Sequence, residues 1–128
     1  MNPSEVIARR RAQRAALIER AQRFAAQLDP SLGVRAVVVF GSVARGDFNY
    51  WSDVDVLVVA DRLPERPLDR PLSLGDWPGG VQPVAWTSAE WHGQRQRANP
   101  IAVESVADGV WLVGSPDDLG DPNPGPAT

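Results

Sequence analysis

The 128-residue sequence contains no cysteine and no lysine, and its single histidine is His92. The absence of cysteine excludes disulfide bonds and thiolate metal sites, and it is compatible with the cytoplasmic location that we expect. All 13 basic residues are arginine, so no lysine is present to act as a nucleophile or to hold a phosphate group. No run approaches the roughly 20 apolar residues that cross a bilayer, so we expect no membrane span.

The chain also carries little excess charge of either sign. The net charge of −3 gives no general attraction to nucleic acid or to anionic membranes, so a nucleic-acid partner is not expected. Arginine is nevertheless concentrated near the start of the chain, where Arg9, Arg10, Arg11 and Arg14 follow one another without the apolar stretch of a secretory signal. Two interpretations of these arginines stay open: a solvated helix face, or a surface that binds a partner or steers a phosphate.

The periodicity of apolar residues predicts a small α/β (α+β) fold, in which helices pack on a mixed β-sheet of about four strands. We expect a first helix over about residues 4–28 with Ser4 as its N-cap, and one or two helical turns around residues 68–74. The strands are predicted at 35–40, 53–60, 81–86 and 110–113, and two further helices at 88–97 and 100–107. The domain is therefore expected to span residues 1–114. A tail rich in Pro, Gly and Asp over 115–128 is predicted to be disordered.

Two carboxylates stand at the start of the second predicted strand. Because strand side chains alternate, Asp53 and Asp55 point to the same face, while Val54 and Val56 pack on the other. Two carboxylates so close repel each other, and burying them unpaired is costly. A cation between them resolves this conflict, and oxygen-only ligands favour Mg²⁺ or Mn²⁺.

A glycine follows the first predicted strand and supplies the complementary half of a site. Gly41 allows a phosphate to approach the backbone, the Ser42 hydroxyl can donate to a phosphate oxygen, and Gly46 lets the chain turn away at positive φ. Arg45 in the same turn is predicted either to neutralise a triphosphate or to form a surface ion pair with Asp47. Together with the two carboxylates, this turn favours a site for a metal-bound nucleoside triphosphate.

These motifs resemble a known family. Gly-Ser-x-Ala-x-Gly at 41–46 and Ser-Asp-x-Asp at 52–55 are similar to the signature of the DNA polymerase β-like nucleotidyltransferase superfamily, and the small size resembles its minimal branch. The resemblance implies a nucleotidyltransferase fold, metal ligation by Asp53 and Asp55 as the catalytic residues, and ATP or another nucleoside triphosphate as substrate. It also implies nucleotide binding by Gly41, Ser42, Arg45, Gly46 and Ser52.

The resemblance further implies a reaction and a partner. AMP would pass to a hydroxyl group of a partner protein, and minimal nucleotidyltransferases typically pair with a small helical HEPN-type protein as a toxin–antitoxin system. A homo-oligomer or a hetero-oligomer is compatible with this expectation. Trp51, in the loop before Ser52, is predicted either to pack onto the fold or to stack on a base or a partner.

One element of the family pattern is missing. The superfamily generally uses a third carboxylate on a later strand, and this chain has Gln82 or Pro83 where that acid is expected. Placement of Asp76, Glu90 or Glu104 beside the aspartate pair would favour catalysis. Three functions therefore stay open: an active protein-modifying nucleotidyltransferase, a degenerate antitoxin-like module that binds nucleotide or a partner, and an aminoglycoside-modifying enzyme.

Overall fold

A four-stranded mixed sheet forms the centre of the computed structural model, which describes residues 2–49, 51–77 and 79–120. The strands are β1 (Val34–Phe40), β2 (Val54–Ala60), β3 (Val81–Trp86) and β4 (Val110–Val113), in the order β3-β2-β1-β4. β1 pairs antiparallel with both β2 and β4, whereas β2 and β3 are parallel. The predicted fold class is confirmed.

The two central strands are buried on both faces because valine occupies four of the seven positions in each and most of the others are also apolar. One face carries Val56 and Val58, which pack against Leu17, Ala21 and Phe24 of the first helix. The opposite face carries Leu57 and Val59, which pack against helices nearer the C-terminus. The sheet therefore separates the first helix from the face on which Asp53 and Asp55 are expected to lie.

The first helix, α1 (Pro3–Ala26), begins one residue earlier and ends two residues earlier than predicted. Its N-cap is Asn2 rather than Ser4, because the Asn2 side chain accepts a hydrogen bond from the Glu5 N–H (2.9 Å) and proline suits the first helical position. The chain then turns through a 3-10 helix (Pro30–Leu32), and Gly33, which has a φ of 63°, directly precedes β1.

Between the central strands lies the short helix α2 (Gly41–Arg45), and between β2 and β3 lie a 3-10 turn (Pro67–Asp69) and helix α3 (Arg70–Ser73). These turns confirm the expectation of limited helix around residues 68–74. Arg70 is 6% exposed and donates to the carbonyls of Pro64 (2.8 Å) and Ala85 (3.0 Å). The buried guanidinium therefore links the proline-rich segment between β2 and β3 to the edge strand β3.

Helices α4 (Ser88–Gln96) and α5 (Pro100–Ala107) cover the second face of the sheet. Thr87 caps α4 through a capping box with Glu90. Trp91 is fully buried, and its ring lies 5.9 Å from that of Trp111 in an edge-to-face arrangement. These aromatic contacts hold α4 against the sheet and β4.

Packed structure continues past residue 114, where the predicted domain ended. Pro116–Leu119 form a 3-10 helix, Leu119 is 3% exposed, and the Leu119 carbonyl lies 2.8 Å from Nε2 of His92. His92 is thus a half-buried residue that contacts the C-terminal 3-10 helix. Residues 121–128, the rest of the predicted tail, lie outside the described residues, and within the described ranges no helix is long and apolar enough to cross a membrane.

Candidate active site

The two predicted metal ligands lie at the start of β2. Asp53 precedes the strand and is exposed, whereas Asp55 is the second residue of the strand and is half-buried. In the sheet register Asp55 is paired with Phe40 of β1 on one side and with Gln82 of β3 on the other. Since alternate strand residues share a face, Asp53 and Asp55 lie together where three strands meet.

The Gly41 turn contacts this carboxylate pair directly. Gly41 has a φ of +74°, and a Cβ atom added to it would lie 2.5 Å from Oδ2 of Asp55. A side chain at this position would therefore be strained by the backbone and would collide with the carboxylate. Glycine allows the first turn of α2 to lie against Asp55, so the predicted phosphate turn and the predicted metal ligands form one site.

The charges around Asp55 produce the repulsion that the sequence predicts for two neighbouring carboxylates. Burial raises the pKa of Asp55, and the neighbouring negative charges of Asp53 and Glu104 raise it further, while Arg45 opposes them. A carboxylate pair of this kind is stabilised by a bound cation. Two aspartates fit Mg²⁺ or Mn²⁺, which bind few protein carboxylates and complete their shell with phosphate oxygens and water.

Gln82, one of the two residues at the expected position of a third carboxylate, contacts the aspartate pair. Its Nε2 donates to Oδ2 of Asp53 (3.2 Å), so its side chain lies on the same face as the aspartate pair. Asp76 is exposed, and among residues 2–49, 51–77 and 79–120 no three Asp, Glu or His side chains are arranged to hold a metal ion. An amide therefore lies beside the pair, and of the acids considered as substitutes Glu104 is close enough for its charge to raise the pKa of Asp55.

Glu90 is engaged in holding the fold. It accepts hydrogen bonds from the Thr87 N–H (2.8 Å) and from the Arg70 guanidinium (2.7 Å). Burial alone would raise the pKa of Glu90, but the Thr87 N–H and Arg70 together lower it below the usual value for glutamate. Its carboxylate is thus kept ionised by the α4 cap and by Arg70.

Arg45 connects the turn to α5. Its guanidinium pairs with Asp47 (3.3 Å) and with Glu104 (3.1 Å), and these side chains are about one-third to two-thirds exposed. Of the two predictions for Arg45, the ion pair with Asp47 is present. Glu104 lies near Asp55 through the packing of α5, which local sequence patterns do not reveal.

A hydrogen-bonded turn precedes Asp53. The Asn49 side chain accepts from the Trp51 N–H (2.9 Å), and the Ser52 hydroxyl accepts from the Asn49 N–H (2.8 Å) and donates to the Asn49 side chain (3.2 Å). The Ser52 hydroxyl, expected to bind nucleotide, is thus used to hold this loop. Phe48 is buried, whereas Trp51 is 85% exposed. Tyr50 lies outside the described residues.

Comparison with known proteins identifies the family of the domain that contains this site. The family model for the nucleotidyltransferase domain matches residues 18–107, which include every residue of the candidate site. The chain belongs to the nucleotidyltransferase domain family. A segment of 41 residues is 49% identical to a Methanocaldococcus jannaschii protein named "putative protein adenylyltransferase". That segment is 32% of this nucleotidyltransferase domain chain and only 28% of the relative's length.

One solved structure supports the fold of this nucleotidyltransferase domain. A crystal structure described as a "putative nucleotidyltransferase" from Sulfolobus solfataricus covers 80% of this chain and 84% of its own, with a TM-score of 0.59 and 24% identity. A structure described as a toxin–antitoxin with AMP-PNP covers 77% of each chain at a TM-score of 0.44 and 16% identity, too distant to bear on ligand or partner.

Proposed function

We propose that this nucleotidyltransferase domain transfers AMP from ATP to a hydroxyl group of a partner protein, with Mg²⁺ or Mn²⁺ bound. The observation that carries the proposal is the contact between the Gly41 turn and Asp55. It joins a backbone able to approach a phosphate to a carboxylate pair able to hold a cation. Family membership supports nucleotidyl transfer as the reaction class.

Asp53 and Asp55 would hold the cation, since their oxygen atoms lie on one face and their charges repel without it. When bound, the cation would neutralise charge on the triphosphate and orient the α-phosphate for displacement. The Ser42 hydroxyl and the backbone of Gly41 would contact the triphosphate. Arg45 would supply positive charge from the same turn.

The proposed reaction is an in-line displacement. The acceptor oxygen forms a bond to the α-phosphorus, the bond to the β-phosphate oxygen breaks, and pyrophosphate leaves. The hydroxyl proton needs a base, and the neutral amide of Gln82 cannot take it. The proton would therefore leave to solvent water on the exposed Asp53 side of the pair.

A protein acceptor is supported by the name of the M. jannaschii relative, although the similarity spans a minor part of both chains. The resemblance of residues 41–55 to minimal nucleotidyltransferases makes a small helical HEPN-type protein the first acceptor to test. The resulting assembly would be a hetero-oligomer in the cytoplasm.

The deciding experiment is label transfer from α-³²P-ATP with Mg²⁺ in host extract and with a purified candidate acceptor. The wild-type chain is compared with Asp53→Asn/Asp55→Asn, and with Asp117→Asn as a control that removes an exposed acid outside the site. We expect a labelled protein with the wild type and the control only. Label on a small molecule would replace the protein acceptor by a small one, and label that survives the double substitution would refute the assigned site.

One observation favours a second function. Because Gln82 stands where a third carboxylate is expected, the domain is also suited to bind Mg²⁺ and nucleotide without transferring it, as a degenerate antitoxin-like module. Mg²⁺-dependent ATP binding that is lost in the double aspartate variant, with no wild-type-specific label in any extract, would establish this second function.

A further inference from the structure

Two arginines of α1 match neither interpretation of the arginine-rich helix, which were a solvated face and a surface for a partner or a phosphate. Arg10 and Arg14, called here the arginine pair, are four residues apart and therefore on the same side of the helix. Arg14 donates to the carbonyls of Val43 (2.9 Å) and Ala44 (3.0 Å). Arg10 donates to the carbonyls of Gly46 (3.0 Å) and Phe48 (2.7 Å). The arginine pair is thus bound to the backbone of the α2 turn.

These carbonyls need donors from outside the turn. The last carbonyls of a helix have no partner within it, and α2 has only five residues, too few to be stable by itself. Within the turn, Gly46 N–H donates to the Ser42 carbonyl (2.8 Å). Arg10 also lies over the ring of Phe48, 3.9 Å from its centre, and Phe48 is 4% exposed. The arginine pair therefore fixes both the end of α2 and the loop that follows.

The beginning of the same turn lies against the carboxylate pair. Gly41 contacts Asp55 at the start of α2, and the arginine pair binds carbonyls two to seven residues later. Val43 and Ala44 pack in the core cluster on the α1 face of the sheet, opposite Leu57 and Val59. A shift of these carbonyls therefore displaces the short helix α2 and, with it, Ser42 and Gly41 at its start.

We propose that the arginine pair are positioning residues for the nucleotide site. They hold α2 from the α1 face, so that Gly41 and Ser42 keep their place beside Asp55. The inference rests on the proposed function, because it assigns the α2 turn to the triphosphate. Other arginines of α1 provide the contrast: Arg9 is exposed, and Arg23 pairs with Glu19 (2.8 Å) on the surface.

The test compares Arg14→Gln and Arg14→Lys with Arg9→Gln, which removes the same charge from an exposed position on the same helix. Lysine keeps the charge but cannot donate to two carbonyls through a planar fork. The first readout is hydrogen exchange of the Gly46 amide in the nucleotide-free protein. The second is the separate measurement of KM for Mg-ATP and of kcat for label transfer, with the Kd for Mg-ATP as a substitute if the domain only binds.

We expect Arg14→Gln to speed exchange at Gly46 about tenfold and to raise KM or Kd about tenfold, because hydrogen bonds from a charged donor are lost. Arg14→Lys should recover part of both effects, and Arg9→Gln should show neither. Equal exchange in Arg14→Gln and Arg9→Gln would overturn the inference. So would an exchange increase spread evenly over the whole domain, or one confined to Gly46 with unchanged KM and Kd.

The two readouts separate the two ways of failing. If the wild-type chain neither binds Mg-ATP nor transfers label, the proposed function fails, and the arginine pair loses its nucleotide role with it. Local exchange at Gly46 would then still report whether the pair holds the turn. If the wild type binds Mg-ATP and Arg14→Gln binds it equally well, the positioning inference alone is wrong.

Discussion

Replacing Gly41 by alanine tests whether the contact between the α2 turn and Asp55 serves binding or only packing. Gly33→Ala is the matched control, because both glycines have positive φ (74° and 63°), but Gly33 lies outside the site and a Cβ on it would meet only the end of the Arg62 side chain. Each substitution places an alanine in the left-handed region, at a cost of about 1–2 kcal/mol. We expect both to lower the melting temperature by about 4–8 °C.

The two variants should differ at the carboxylate. An added Cβ at 2.5 Å from Oδ2 of Asp55 is well inside ordinary contact, so the carboxylate has to move by about 0.9 Å. Metal–ligand distances tolerate about 0.2 Å, and shifts of this kind cost about 10–100-fold in affinity. We therefore expect Gly41→Ala to weaken Mg-ATP binding by that factor and Gly33→Ala to leave it within about threefold.

The measurement is calorimetric titration of each folded variant with Mg²⁺ and a non-hydrolysable ATP analogue, alongside thermal unfolding. Equal loss of stability with wild-type affinity in both variants would refute the argument, since Asp55 would then be displaced without consequence for binding. Equal loss of affinity in both would show that backbone strain, rather than the collision with Asp55, governs the site.

Three further predictions follow from other contacts. Gln82→Glu places a carboxylate against Asp53 and should tighten Mg²⁺ binding about tenfold, measured by titration; unchanged affinity would remove Gln82 from the metal site. The pKa of Glu90 is lowered in the folded state, so the stability that its carboxylate contributes is present above about pH 4.5 and is lost as the pH falls through the folded pKa. Glu90→Gln should therefore make the free energy of unfolding, measured with urea, fall less steeply at acid pH. Leu119→Ala should cost about 2–3 kcal/mol in the same assay, and a cost near zero would restore a domain end at residue 114.

Much of the architecture follows from local patterns. The valine runs of β1 and β2 predict strands buried on both faces, and the capping residue Thr87 predicts the start of α4. Period-two alternation also places Asp53 and Asp55 on one face, and the resemblance to the nucleotidyltransferase superfamily places Gln82 or Pro83 near them. These features are predictable because each depends on neighbours in the sequence or on strand pairing.

The remaining features depend on contacts between distant segments. Leu119 is buried by a 3-10 turn that reaches back to His92, although its composition is that of a disordered tail. The arginine pair and Glu104 meet the α2 turn through the packing of α1 and α5, at separations of roughly 30 to 60 residues. Helical spacing shows that Arg10 and Arg14 share a face, but it cannot tell which backbone that face contacts.

The two outer strands of the sheet limit the ways in which another protein can attach. β3 lies at one edge and contains Pro83, which has no N–H to offer, and β4 at the other edge has only four residues. Short or proline-containing edges discourage a foreign strand from extending the sheet. We therefore expect an acceptor protein to be recognised through side chains around the mouth of the carboxylate pair, with its reactive hydroxyl on a loop or helix rather than on an added strand.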